Sequence, residues 1–206
     1  MAEEKGTRLG AIPLLLTVAM ILLLAAVFAV RYEEFLLQPS VAESKSDYDL
    51  RLAEAQVDAD PFNEAAKINL GWIYYKRGFY KEAQAELEQA LELEPEDQTA
   101  NYALGLVYME LGQYETAEAR FLKSLEFSGH PNLVFFGLGE LYMRRQKYDE
   151  AVTYLEESLR WMPNMPEVLV RLGEAYAAKG MPEKAQEYFE QAAIYDPALK
   201  KKQTGK

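Results

Sequence analysis

The hydrophobic pattern divides the chain in two. Residues 9–30, LGAIPLLLTVAMILLLAAVFAV, run for 22 positions without a charge, and charge resumes abruptly at Arg31, Glu33 and Glu34. About 20 such residues span the hydrocarbon core of a bilayer as a helix. The stretch therefore predicts a single transmembrane helix, with Pro13 in its first turn, where a missing N–H matters little. Further on, apolar positions recur at helical spacing in short segments. Leu70 and Tyr74 lie one turn apart on one face, Gly78 interrupts the pattern before Tyr80, and Ala83, Leu87, Ala90 and Leu91 form a second stripe that stops before Pro95. This is the pattern of two helices joined by a tight turn.

The two-helix unit recurs. LGWIYYKRGFYKEA at position 70 becomes LGLVYMELGQYETA at 104, LGELYMRRQKYDEA at 138 and LGEAYAAKGMPEKA at 172, always 34 residues apart. Tyr74, Tyr108, Tyr142 and Tyr176 keep that interval, as do Ala83, Ala117, Ala151 and Ala185. Pro95, Pro163 and Pro197 keep it too, with Gly129 in the place of the second proline. A fixed period of this size is the mark of a repeat architecture. A glycine in mid-helix costs about 1 kcal/mol against alanine. Gly71, Gly105, Gly139 and Gly173 all sit at one phase, which predicts close approach of the paired helix. Gly78, Gly112 and Gly180 suit a turn that needs positive φ, and Gln146 takes that place in the third unit.

The pattern resembles the tetratricopeptide repeat family. It matches at Leu70, Gly71, Tyr74, Ala83, Leu87, Ala90 and Pro95 in the first unit, and at Leu172, Gly173, Tyr176, Ala185, Phe189, Ala192 and Pro197 in the last. The position where the family carries tryptophan holds Lys67, Asn101, Phe135 and Leu169. The resemblance implies an all-α fold, a right-handed superhelical solenoid of about four helix-turn-helix repeats, preceded here by the single transmembrane helix. The units run over residues 64–97, 98–131, 132–165 and 166–199. Ahead of them AQVDADP, ending at Pro61, aligns with QALELEP, ending at Pro95, so residues 46–61 predict one helix, a half-repeat capping the N-terminal end. Residues 31–45 form a linker and residues 200–206 a basic tail. Solenoid ends need a polar cap. The fourth unit has only a stub after it, which leaves self-association through the C-terminal end open.

In this family the first helix of each unit lines a concave groove. Carried over, the first unit offers Ala65, Ile68, Trp72, Tyr75 and Lys76, and the second Thr99, Tyr102, Leu106, Met109 and Glu110. The third offers Leu133, Phe136, Glu140, Met143 and Arg144, and the fourth Glu167, Val170, Arg171, Glu174 and Ala177. Ile68, Trp72, Tyr75, Tyr102, Leu106, Met109, Phe136 and Met143 would make a contiguous aromatic and methionine surface, of the kind that marks interaction sites. The family subtype that clamps a C-terminal carboxylate uses lysine, arginine and asparagine in its groove. Here those positions hold Ile68, Trp72, Ala103, Leu133 and Gly137, so an apolar or amphipathic segment is the expected ligand.

Composition narrows the function further. The formal net charge is −11. Residues 62–197 hold 13 Lys and Arg against 23 Asp and Glu, a balance of −10. Such a surface repels phosphate backbones, which need cations to release their counterions, so nucleic acid is an unsuitable ligand. There is no cysteine and one histidine, His130, in the turn SGHPN. Thiolate chemistry is excluded, no two-histidine metal site exists, and no glycine-rich phosphate loop or nucleophile–base pair appears. No catalysis and no cofactor are expected. Lys5 and Arg8 before the apolar run outweigh Arg31 directly after it, which places the N-terminus inside and the repeats outside the cytoplasm. A cleavable signal peptide ending at Val27, Phe28 and Ala29 is the alternative, but the apolar region of such peptides is ordinarily shorter than this run. The expected role is a membrane-tethered protein-interaction scaffold for assembly or maturation of a membrane or exported complex. The alternative is a constitutive structural subunit of a membrane enzyme.

Overall fold

The computed structural model describes residues 44–129 and 131–199. The apolar segment 9–30, most of the linker, His130 and the tail 200–206 lie outside the described residues. Among the described residues there are nine helices and no strand, and no helix is long and apolar enough to cross a membrane. The chain divides into two units, 1–52 and 53–206. Of the first unit only residues 44–52 are described, and all but the first of them belong to helix α1 (Lys45–Ala59), which continues into the second unit.

The second unit goes on with α2 (Glu64–Lys76) and α3 (Tyr80–Leu93), then α4 (Gln98–Glu110) and α5 (Tyr114–Glu126). They are followed by α6 (Asn132–Arg144) and α7 (Tyr148–Trp161), then α8 (Pro166–Ala178) and α9 (Pro182–Tyr195). Each even-numbered helix packs against the one after it, and each later odd-numbered helix but the last packs against the first helix of the next pair. Consecutive first helices also touch, α2 with α4, α4 with α6 and α6 with α8, whereas consecutive second helices make no comparable contact. The first helices therefore line one inner face, and each pair rests on its neighbours alone, as in a one-dimensional stack.

Local chemistry starts and stops these helices. Asn63 and Asp97 cap α2 and α4, their side chains accepting from Ala66 N at 3.0 Å and Ala100 N at 2.6 Å. Between the helices of each pair one residue takes positive φ: Gly78 at 78°, Gly112 at 74° and Gly180 at 74°. In the third pair Gln146 sits at φ 58°. The left-handed region costs a residue with a Cβ about 1–2 kcal/mol. Gln146→Gly is expected to stabilise the protein by about 1 kcal/mol after the entropy glycine adds to the unfolded chain. Urea unfolding checks this, with a higher midpoint at unchanged slope as the expected result.

The mid-helix glycines have steric reasons. A Cβ at Gly71 would stand 2.6 Å from Leu87 Cγ, at Gly105 2.7 Å from the Phe121 ring, at Gly139 2.6 Å from Leu155 Cγ and at Gly173 2.5 Å from the Phe189 ring. Gly137 is different, because it does not recur. Its absent Cβ would meet Phe121 Cε1 from the previous pair at 2.9 Å. Phe121, fully buried, thus lies between glycines of two successive repeats. Where the family carries tryptophan, Asn101 is buried and donates to the carbonyls of Pro95 at 3.2 Å and Asp97 at 2.8 Å, tying down the inter-repeat turn. Lys67, also buried, donates to Gln89 Oε1 at 2.9 Å.

A tyrosine ladder joins the repeats. Tyr74 donates to Glu54 at 2.9 Å, Tyr108 to Glu88 at 2.5 Å and Tyr176 to Glu156 at 3.1 Å, each 20 residues back. In the third repeat the equivalent acid is replaced by Leu122, and Tyr142 reaches Glu118, one helical turn earlier, at 2.5 Å. Glu54 stands in α1 where Glu88 stands in α3, so α1 presents to the first repeat the same acid that a second helix would. Burial, with the adjacent carboxylates, pushes Tyr74, Tyr108 and Tyr176 up to about 12, and Tyr142 higher still. A group whose folded pKa lies above its unfolded value contributes stability that is complete below the unfolded pKa of about 10 and lost as pH rises through the folded one. Helicity by circular dichroism is expected to hold to about pH 10 and to collapse towards about 12. Tyr108→Phe should make that loss shallower.

Candidate protein-binding groove

The inner face is built from positions that recur once in every repeat, so side chains fall in columns along it. Ile68, Tyr102, Phe136 and Val170 form one column, apolar throughout and half-buried. Trp72, Leu106, Glu140 and Glu174 form a second, in which ring and alkyl chain give way to two carboxylates. Tyr75, Met109, Met143 and Ala177 form a third, and Lys76, Glu110, Arg144 and Ala178 a fourth.

At the N-terminal half the columns make an aromatic cluster. The Trp72 ring meets Tyr75 edge-on at 5.8 Å and Tyr102 at 6.0 Å. Tyr75 meets Tyr80 at 5.9 Å, and Tyr102 rests on buried Phe121 at 5.8 Å. These rings pack on the core by one side and leave the other half-exposed, an arrangement that holds them in fixed rotamers for a ligand. Burial pushes Tyr102 up to about 12 and moves Tyr75 in the same direction, helped by the Glu110 carboxylate.

The C-terminal half is ionic. Arg144 grips Glu110 of the previous repeat with two guanidinium nitrogens, at 3.1 and 2.5 Å. Arg171 pairs with Glu140 at 2.6 Å and with Glu174 at 2.7 Å. Burial pushes the Glu140 carboxyl above its ordinary range, against the pull of Arg171 and Arg144. The contact from Arg171 Nε to Glu140 Oε1 is an ion pair without an aligned hydrogen bond. Among the described residues that oxygen has no hydrogen-bond donor. It is buried from solvent, its charge facing Arg171.

The expected contiguous aromatic and methionine surface is therefore corrected in two respects. Met109 is 4 % exposed and belongs to the core. There its flexible thioether chain fills space in the core. Beyond it Phe136 and Met143 lean on the packed cluster around Leu155 and Leu172, and charge takes over the floor. Lys76 and Arg144 remain exposed, and Val170 and Arg171 are half-exposed at the far end. An ion ladder is legible in the sequence as well: Lys76, Glu110 and Arg144 alternate in sign at one repeat phase. Gly137 gave no such signal, because its reason is the size of Phe121.

At the C-terminal end α9 carries Ala193 where the preceding second helices carry Leu91, Leu125 and Leu159, and Gln186 and Glu190 are exposed on it. That face is small and polar by comparison, while Ile194 and Tyr195 stand exposed at the end of the same helix.

Stacked helix pairs whose first helices line a half-aromatic, half-ionic face define an α-solenoid of the protein-interaction class. The tetratricopeptide repeat pattern matches residues 68–131 and again 137–199, together more than half of the chain, and the protein belongs to that family. Among solved structures, MamA is similar at TM-score 0.64 and 20% identity, over 78% of this chain and 99% of that one. PilW, described as a widely conserved type IV pilus biogenesis factor, is similar at 0.67 and 24%, over 71% and 70%. YrrB, described as a tetratricopeptide repeat protein with an unusual peptide-binding site, is similar at 0.58 and 25%, over 72% and 76%. No curated protein matches the sequence at a significant level.

Proposed function

We propose that this protein is a membrane-tethered interaction scaffold whose inner groove takes an apolar or amphipathic segment of a partner protein, and that it serves assembly or maturation of a membrane or exported complex. The observation that carries the reading is the groove itself, with Trp72, Tyr75 and Tyr102 held half-exposed beside the paired charges Arg144–Glu110 and Arg171–Glu140. A segment with apolar anchors at one end and polar or charged groups at the other matches that gradient. Similarity to a repeat protein described as having a peptide-binding site supports it. Residues 9–30 supply the tether, with the repeats outside the cytoplasm. Fourteen residues lie between that run and Lys45, at most about 50 Å of extended chain. Such a leash raises the effective concentration of partners in the same membrane.

The test has two parts. A reporter fused after Lys206 should be active outside the cytoplasm, and activity inside would reverse the orientation. Gentle detergent extraction with capture through a C-terminal tag should return partners that are lost on Trp72→Ala with Phe136→Ala. A fixed set in constant ratio that survives those substitutions would instead make the protein a permanent subunit.

A further inference from the structure

The charges of the inner face do not cancel evenly along it. In the second to fourth repeats the groove columns carry Arg144 and Arg171 against Glu110, Glu140, Glu167 and Glu174. Arg144 uses two guanidinium nitrogens on Glu110, at 3.1 and 2.5 Å, and Arg171 Nε lies 2.6 Å from Glu140. What those pairs leave over is opposite in sign at the two ends. At the first repeat Lys76 is exposed and has no ion-pair partner among the described residues. The acid one repeat on at its phase, Glu110, is the one that Arg144 already holds. At the fourth repeat Glu167 is exposed and likewise without a partner among the described residues, and Glu174 shares with Glu140 the single cation Arg171. The aromatic and ionic halves lie within electrostatic reach of each other. Beside burial, the Tyr75 phenol feels the charges of Glu110, Arg144 and Glu140.

We propose that the groove selects its ligand by charge as well as by apolar fit, taking a segment whose apolar side chains are flanked by an acid at the end that meets Lys76 and by a basic side chain at the end that meets Glu167 and Glu174. The proposal rests on the groove reading above and names the chemistry of the segment it takes. One apolar column, Ile68, Tyr102, Phe136 and Val170, runs through all four repeats. Apolar fit along it therefore does not decide which end of a segment faces the first repeat. The leftover charges do, because exposed charges at an interface fix register and reject wrong partners more than they add affinity. A uniformly basic segment is repelled at Lys76, and a uniformly acidic one at Glu167 and Glu174. The helix dipole favours a cation at the end of α2. That alone does not account for Lys76, since α4 and α8 end on Glu110 and Ala178 at the same phase.

The test is selection from a library of short random peptides on the full-length protein held in lipid nanodiscs. The peptides recovered should carry apolar residues with an acid on one side and Lys or Arg on the other, and Trp72→Ala should retain none of them. Exchanging the acid of a recovered peptide for lysine should weaken binding about tenfold, the scale of one exposed ion pair lost and one repulsion gained. Lys76→Glu should reverse the preference at that end and Lys76→Gln should abolish it, with the other end unaffected. Glu167→Lys with Glu174→Gln should reverse the preference at the other end alone. Apolar peptides that Trp72→Ala loses but that show no charge preference, or a preference that Lys76→Glu leaves unchanged, overturn this inference and leave the groove reading standing. Recovery of no apolar peptide, or of peptides that bind Trp72→Ala as well as the native protein, overturns the groove reading and this inference with it.

Discussion

Phe121→Ala is expected to remove about 3–5 kcal/mol, the range for truncating a fully buried aromatic. The ring is 0 % exposed and lies between Gly105 of its own repeat and Gly137 of the next, under Tyr102. Its loss leaves a cavity that two helices without side chains at those points cannot fill. In a solenoid the damage is local to one repeat and its interface, so unfolding should lose its single transition. Trp72 in the first pair and Trp161 in the third report on either side of the lesion, and their denaturation curves should separate in the variant. The pairing with Gly137 gives a sharper check. Gly137→Ala brings a methyl to 2.9 Å from Phe121 Cε1, and overpacking of this kind costs about 1–3 kcal/mol. In a Phe121→Leu background that penalty should largely vanish, a coupling that a double-mutant cycle measures directly.

Trp72→Ala is expected to weaken capture of the groove's partner by at least about thirtyfold, or about 2 kcal/mol, the scale of a buried aromatic anchor. The indole organises the cluster, touching both Tyr75 and Tyr102, so its removal also frees those rings to leave their bound-state rotamers. Because it packs against the core by one side, some thermal stability is lost as well, less than for Phe121→Ala. Arg144→Ala provides a contrast. It breaks the clamp on Glu110 at a partly exposed site, where ion pairs contribute little stability, so its effect should fall on binding alone. Titration calorimetry with the captured partner, beside thermal melts of both variants, tests the two claims together.

Much of the fold was legible in the sequence for one physical reason: identical steric problems recur in every repeat and receive the same answer. Leu-Gly pairs, positive-φ turns and the tyrosine phase all repeat, so pattern alone places them. What pattern could not reach is whatever compensates a neighbour instead of repeating. Gly137 exists because Phe121 is large, Tyr142 turns to Glu118 because Leu122 stands where other repeats carry an acid, and Met109 joins the core while Met143 at the same phase stays half-buried. The groove was half legible. Its columns follow from the period, but whether a half-buried ring faces a ligand or the core depends on packing that no single position encodes. The aromatic cluster and the ion ladder lie on the same inner face, so a ligand that follows the face meets an apolar surface first and a charged one after.

The measurement that most directly tests the account is site-specific photo-crosslinking in native membranes. p-Benzoylphenylalanine is placed in turn at Tyr75 and Met143 on the inner face and at Ala119 on the exposed side of α5. The account predicts one defined protein adduct from both inner positions, abolished by Trp72→Ala, and none from Ala119. Adducts of equal yield from Ala119, or inner-face adducts that survive the loss of Trp72, would contradict the assignment of the groove as the binding site.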